Sequence, residues 1–235
     1  MDSEAAVSKE RDRSSTAGEA EPEGRSRSAA YGRLLGWWRD WRRTVLLAAS
    51  CVLAFFLVST FVLQPFQVPS GSMENTLRVG DRVLVDKLAY RFGGTPRRGD
   101  VIVFDGDGSF EQVSGTDYVK RVIGVGGDRV TCCDSRGRMT VNGRALDETY
   151  LYPGNAPSQV PFDIVVAKGR LWVMGDHRDD SRDSRDHLGD PGGGTVPVGR
   201  VIGRADWIGW PVGHWTRLHR PATFAAVPAP ADPHG

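Results

Sequence analysis

The sequence predicts a mainly β protein, an antiparallel β-domain behind one N-terminal transmembrane helix. Two features carry that prediction. Residues 44–63, TVLLAASCVLAFFLVSTFVL, are uncharged throughout, and a helix of about twenty residues spans a ~30 Å hydrocarbon core. Beyond them the apolar pattern breaks into short runs punctuated by glycine, proline and aspartate, with neither βαβ alternation nor a repeat of fixed period.

Residues 1–43 read as a cytoplasmic tail. Up to about residue 30 they are dense in Ser, Glu, Arg, Ala and Gly without apolar periodicity. No burial is available there to offset the entropy of ordering, so disorder is expected. Arg25, Arg27, Arg33, Arg39, Arg42 and Arg43 precede the apolar run against Asp40 alone, whereas the first basic residue after it is Arg78. This bias places the N-terminus in the cytoplasm, with a single pass and the rest of the chain outside. Trp37, Trp38 and Trp41 suit the inner interface or a short amphipathic lead-in helix. A cleaved signal peptide would need an apolar run of about 7–15 residues and a small-x-small site, and LQPFQVPS offers no such site.

Residues 64–220 are expected to form the β-domain. The β-like runs are Arg82–Lys87, Val101–Phe104, Tyr118–Ile123, Met139–Val141, Leu171–Met174 and Val198–Ala205, and Asn142-Gly143 is a two-residue hairpin signal. Residues 221–235, rich in Pro and Ala, are expected to be a flexible tail. A net charge of +1 gives no support to nucleic-acid binding. Cys51 lies in the apolar run. Cys132 and Cys133 are adjacent, which strains a mutual disulfide, and without a CxxC spacing or a histidine partner they read as structural rather than metal-binding.

Chemistry is concentrated in three stretches. The first, PSGSMENTL at residues 69–77, presents Ser72 nine residues after Leu63, so at roughly 3.3 Å per extended residue its hydroxyl lies within about 30 Å of the bilayer edge. Gly71 permits a tight turn, and Ser70 and Thr76 add hydroxyls. Taken alone, a polar linker accounts for it equally well. In the second stretch, Tyr118–Ile123, period-two alternation puts Lys120 on one face with Tyr118 and Val122, and Arg121 on the other. A lysine near its ordinary value of about 10.4 is almost never neutral at pH 7, and desolvation is the available remedy. Arg121 has the same apolar flanks, so a solvated strand lysine remains open at this point. The third, GDHRDDSRDSR at residues 175–185, is too rich in both charges for a cation site. It lacks the glycine and distal glutamate of a calcium loop, and zinc ligation by His177 and His187 is disfavoured by the interspersed arginines.

PSGSMENTL, RRGDVIVF at residues 97–104, YVKRVIGVGGDRV at 118–130 and GDHRDDSRDSR, in that order behind an N-terminal anchor, resemble the bacterial type I signal peptidases over roughly residues 64–210. The resemblance implies an antiparallel β catalytic domain of signal-peptidase type. In it Ser72 is the nucleophile, Lys120 the general base, Ser181 the hydroxyl that orients the lysine and Ser70 a contributor to the oxyanion hole, with Asp176, Asp183 and Arg185 in support. It implies a membrane-bound serine endopeptidase without metal or organic cofactor. Its substrates would be secretory preproteins carrying small residues at the first and third positions before the cut. Asn75 stands where the family often has proline, and His177 and Asp180 where asparagine is common. Neither a second span nor a large inserted β-domain is present, which suggests a compact, Gram-positive-like version.

Three tryptophans within Trp207–Trp215, broken by Gly and Pro, are expected to touch lipid together with Phe66, since tryptophan is favoured at the membrane–water interface. The rival readings are a Ser-His-Asp hydrolase using His177 or His187, which lacks a GxSxG elbow, and a membrane-anchored binding domain.

Overall fold

The computed structural model describes residues 24–110 and 115–230. Helix α1 runs from Gly24 to Phe61, so it begins within the stretch expected to be disordered; the expectation for residues 1–23 lies outside the described residues. It contains a span, Trp41–Thr60, long and apolar enough to cross a membrane. The expected span of 44–63 is too long at its C-terminal end. Leu63 is already the first residue of β1 (Leu63–Gln67), because it pairs with Asp86. Two units divide the chain after Leu53.

The second unit is built on antiparallel β-structure. Its larger sheet comprises β1, β2 (Arg82–Asp86), β3 (Val101–Asp105), β4 (Asp117–Val125), β9 (Arg170–Met174), β10 (Val196–Pro197), β11 (Val201–Trp210) and β12 (Thr216–Arg217). The strand order is β1-β2-β11-β3-β4-β9-β10, with β12 paired to β11. A smaller sheet takes β5 (Arg129–Cys132), β6 (Thr140–Val141), β7 (Arg144–Ala145) and β8 (Phe162–Val165) in the order β7-β6-β5-β8. Asn142 and Gly143 both have positive φ and turn β6 into β7, as the dipeptide predicts. Residues 198–200, expected to open a strand, form a 3-10 turn before β11.

Alternation along the central strands sorts side chains into three apolar clusters. Val83, Val85, Val101, Val103 and Ile208 enclose Met73 and Leu77 on one side of the larger sheet. Ile102, Phe104, Val122 and Val173 form a second cluster with Phe110. Ile123, Val130, Met139, Val141, Phe162 and Trp172 join the two sheets in a third.

The chain does not loosen at residue 221. Residues Ala222–Ala226 form a 3-10 segment, and Phe224 and Val227 are buried in the third cluster. Asp147 N–H donates to Thr223, Arg98 to the Val227 carbonyl and Asn142 to the Pro228 carbonyl. Two apolar anchors and these bonds override a Pro/Ala composition that predicts a free tail. Cys132 and Cys133 are joined to each other; Cys132 is buried within the third cluster, in keeping with a structural role. Phe66 packs, partly buried, against the first cluster.

Candidate active site

Ser72 stands on a 3-10 turn, Gly71–Met73, whose far end is sunk in the core by Met73 and Leu77. The Thr76 and Leu77 amides close on the Met73 carbonyl. The turn is therefore fixed by burial, and Ser72 is left at its rim, 8% exposed. Asn75 has φ of +74°, a left-handed conformation asparagine tolerates and proline cannot adopt. Its amide donates to the Tyr150 and Leu151 carbonyls, and this accounts for its standing where proline is common.

Strand β4 delivers Lys120 opposite Ile102 of β3, with Nζ 2.7 Å from Ser72 Oγ. Burial is the first reason the ammonium is unfavourable here, and it moves the amine from 10.5 down to about 8. The charges of Asp183, Asp176 and Asp180 pull the other way, Arg185 with it. Ser70 Oγ lies 3.4 Å from Ser72 Oγ. Among the described residues neither hydroxyl bonds to a histidine, so no Ser-His-Asp geometry forms there; His187 is occupied with Asp190 and stacked on Phe110.

The 175–185 loop leaves β9 beside β4 and folds over the turn. Gly175 is required there, since a Cβ at that position would meet Ser181 Oγ and the Ser72 carbonyl oxygen at 2.3 Å. The His177 amide donates to the same carbonyl at 3.1 Å. Asp183 accepts from the Gly175 amide, from Ser181 Oγ at 2.8 Å and from Arg185. Burial alone would raise its carboxyl, but these donors outweigh it and hold the group below the usual carboxylate range. Ser181 thus gives its proton to Asp183, and among the described residues no hydrogen bond joins it to Lys120.

Asp176 is the partner of Arg121, in a bidentate pair at 2.8 and 2.6 Å. Both are buried, at 0% and 2% exposure. Arg121 further donates to the Gly99 carbonyl and to Thr76, and lies over the Tyr150 ring. Adjacent residues of β4 thereby serve opposite faces: Lys120 reaches the serine and Arg121 ties β4 to the covering loop. Tyr150 and the buried pair Arg178–Glu148 escape the sequence reading, and Arg121 and Thr76 enter it without their partners. Arg121's apolar flanks signal burial, but its partner lies 55 residues away.

Residues 38–210 match the family described as signal peptidase, peptidase S26. The chain belongs to that family. It is 42% identical to the signal peptidase I of Mycobacterium tuberculosis, over 74% of each chain, and 38% identical to the probable signal peptidase I of Mycobacterium leprae, over 72% of this chain and 76% of that one. To the signal peptidase IB of Staphylococcus aureus it is 30% identical, over 75% of this chain and 93% of the relative. A solved signal peptidase I from Enterococcus faecalis aligns at 27% identity with 46% of this chain and 95% of its own, at a TM-score of 0.36. As a signal peptidase I enzyme, the chain is a serine endopeptidase, a hydrolase of peptide bonds.

Proposed function

We propose that the enzyme removes N-terminal signal peptides from secretory preproteins at the outer surface of the membrane, with Ser72 as nucleophile and Lys120 as general base. The observation that carries the assignment is a buried amine 2.7 Å from a serine hydroxyl, its basicity lowered to about 8 by desolvation. Neutral Lys120 takes the hydroxyl proton as Ser72 Oγ bonds to the scissile carbonyl carbon. The Ser72 amide and the Ser70 hydroxyl receive the developing oxyanion. Lys120 then passes its proton to the leaving amine, and takes another from the water that hydrolyses the ester.

Ser181 restrains the amine. With its proton given to Asp183, its oxygen keeps lone pairs toward which the Lys120 ammonium turns once it has taken the serine proton. Asp176 and Arg121 hold the loop, and Asp183 and Arg185 hold Ser181. Small residues at the first and third positions before the cut suit a site so closely covered. The arginine bias before the span supports a cytoplasmic N-terminus and an external catalytic domain, while exposed Trp207, Trp210 and Trp215 support contact with lipid.

The test is to incubate the purified full-length enzyme with a membrane-inserted preprotein and sequence the new N-terminus. Ser72→Ala and Lys120→Arg should each abolish cleavage, because guanidinium stays protonated and cannot accept the hydroxyl proton. Measurable turnover by Lys120→Arg would remove the lysine from the role of base.

A further inference from the structure

One large apolar ring is turned out of the protein beside the end of the anchor. Phe92 is 94% exposed, in the turn that follows β2. Its φ is +56°, in the left-handed region that bulky side chains rarely occupy, and Gly93 after it has φ of +89°. The turn is held from within. The Arg91 amide donates to the Leu88 carbonyl, the Gly94 amide to the Arg91 carbonyl and the Leu88 amide to Asp86. Tyr90 packs against the second cluster and donates to Asp100 at 2.8 Å. Gly94 is drawn in so closely that a Cβ there would collide with the Ala89 carbonyl oxygen. With Tyr90 sunk and Gly94 closed on Ala89, Phe92 is held outward in a conformation that no burial of its own ring offsets.

The same turn starts from the end of α1. The stretch long and apolar enough to cross a membrane closes at Thr60. Lys87, the residue after β2, donates from Nζ to the Thr60 carbonyl at 3.1 Å and from its amide to the Val62 carbonyl at 2.9 Å. A cation on the last carbonyls of a helix stands where the helix dipole favours it, and a lysine stem lies along an apolar boundary with its charge at the edge. These bonds fix Lys87 at the level where the span ends. Phe92 follows five residues later, so at roughly 3.4 Å per residue it stands within about 17 Å of that level. Arg91, exposed beside it, is a cation suited to anionic headgroups.

We propose that Phe92 is a lipid contact of the catalytic unit: its ring enters the membrane–water interface beside the exit of α1, while Lys87 holds the turn to the helix end. The occupant is the bilayer because the chain's own anchor brings an apolar phase within the length of this turn. The inference rests on the reading of Trp41–Thr60 as a membrane span, and it is separate from the tryptophans of β11. Trp210 pairs with Arg82 at one end of β2, whereas Leu63 pairs with Asp86 at the other, where the Phe92 turn begins. Contacts at both ends of one strand set the tilt of the sheet on the membrane, which a single contact leaves free. Phe92 is thus a positioning residue. It touches no reacting atom, and it sets how the Ser72 turn meets a substrate whose apolar segment stays in the bilayer.

The test uses the full-length enzyme in vesicles of phosphatidylethanolamine and phosphatidylglycerol. Cys51 is the free thiol, Cys132 and Cys133 being joined, so in a Cys51→Ala background Phe92→Cys, Val58→Cys and Val160→Cys can each carry an environment-sensitive fluorophore. Val58 lies in the span, and Val160, 52% exposed, precedes β8 in the smaller sheet. At Phe92 the expected result is blue-shifted emission that lipid-borne quenchers reduce and aqueous iodide does not, as at Val58 and opposite to Val160. In the activity arm, Phe92→Asp should raise KM for a membrane-inserted preprotein about tenfold, the factor that partial burial of a phenylalanine ring supplies. Its kcat and its cleavage of a short soluble peptide should not change, and Phe92→Trp should keep the parent KM. A water-exposed label at Phe92 with Val58 in lipid overturns the proposal, as does a Phe92→Asp enzyme with the parent KM. A blue shift that grows with the enzyme-to-lipid ratio also overturns it, giving the ring to a second copy of this chain. A water-exposed label at Val58 would instead overturn the membrane span beneath it.

Discussion

Lys120 is held where its charge is unwelcome, and that strain is legible as a stability cost. Each factor of ten in acidity is worth about 1.4 kcal/mol, so moving the amine from 10.5 to about 8 costs the folded state on the order of 3 kcal/mol. The sign follows from where the proton binds. With the folded value below the unfolded one, the cost is present in full below about 8, shrinks as pH rises from there, and vanishes above 10.5. Lys120→Met should therefore be inactive yet more stable than the parent at pH 7, with a gain that shrinks toward pH 10. Denaturant midpoints at the two pH values measure this, and a methionine variant no more stable than the parent at pH 7 would show that Lys120 is solvated rather than buried. The same desolvation sets the catalytic limb: kcat/KM should rise with pH up to about 8. Asp183 shows the complementary case, a buried carboxylate whose donors more than offset its burial.

Elements decide which of these residues meet. Sequence alternation separates Lys120 from Arg121, but what each reaches depends on β9 pairing with β4, which brings the 175–185 loop over the Ser72 turn. Strands β2, β3, β4 and β9 are legible because each is a run of apolar β-formers. Strands β5 and β8 are not, since β5 is a four-residue strand opening on Arg129 and Asp163 interrupts β8, and only their pairing across the smaller sheet makes that exposed ion pair intelligible. The C-terminal segment hides in the same way: two apolar side chains, Phe224 and Val227, are too few to register as a pattern among Pro and Ala. Their effect is testable. Phe224→Ala should lower stability by roughly 3 kcal/mol, the range for a buried phenylalanine, seen as a drop in the denaturant midpoint. An unchanged midpoint would mean that residues 221–230 are the free tail their composition suggests. Phe224 lies beside Gly99, in the turn before β3 whose carbonyl accepts from Arg121, so cleavage activity should fall with stability.

At the scale of the whole molecule the catalytic unit carries an apolar patch that its own core does not use. Trp207, Trp210, Val212 and Trp215, on the end of β11 and the turn after it, are 40%, 55%, 63% and 62% exposed. Their exposure leaves an apolar surface that water penalises and that a membrane interface favours, where the indole N–H keeps a polar partner. Arg217, whose guanidinium lies 5.8 Å from the Trp207 ring centroid, adds a cation of the kind that attracts anionic headgroups. Contact of this patch with lipid would orient the catalytic unit toward substrates whose apolar segment remains in the bilayer, an advantage of positioning over free collision. A truncated enzyme beginning near Gln64 should therefore bind vesicles, with blue-shifted tryptophan emission, and cleave membrane-inserted preprotein much faster than a short soluble peptide. Replacing Trp207, Trp210 and Trp215 together should abolish vesicle binding and most of that preference while leaving cleavage of the short peptide intact. An anchorless enzyme that ignores vesicles, or a triple variant that keeps its preference for inserted preprotein, would assign the patch to some surface other than lipid.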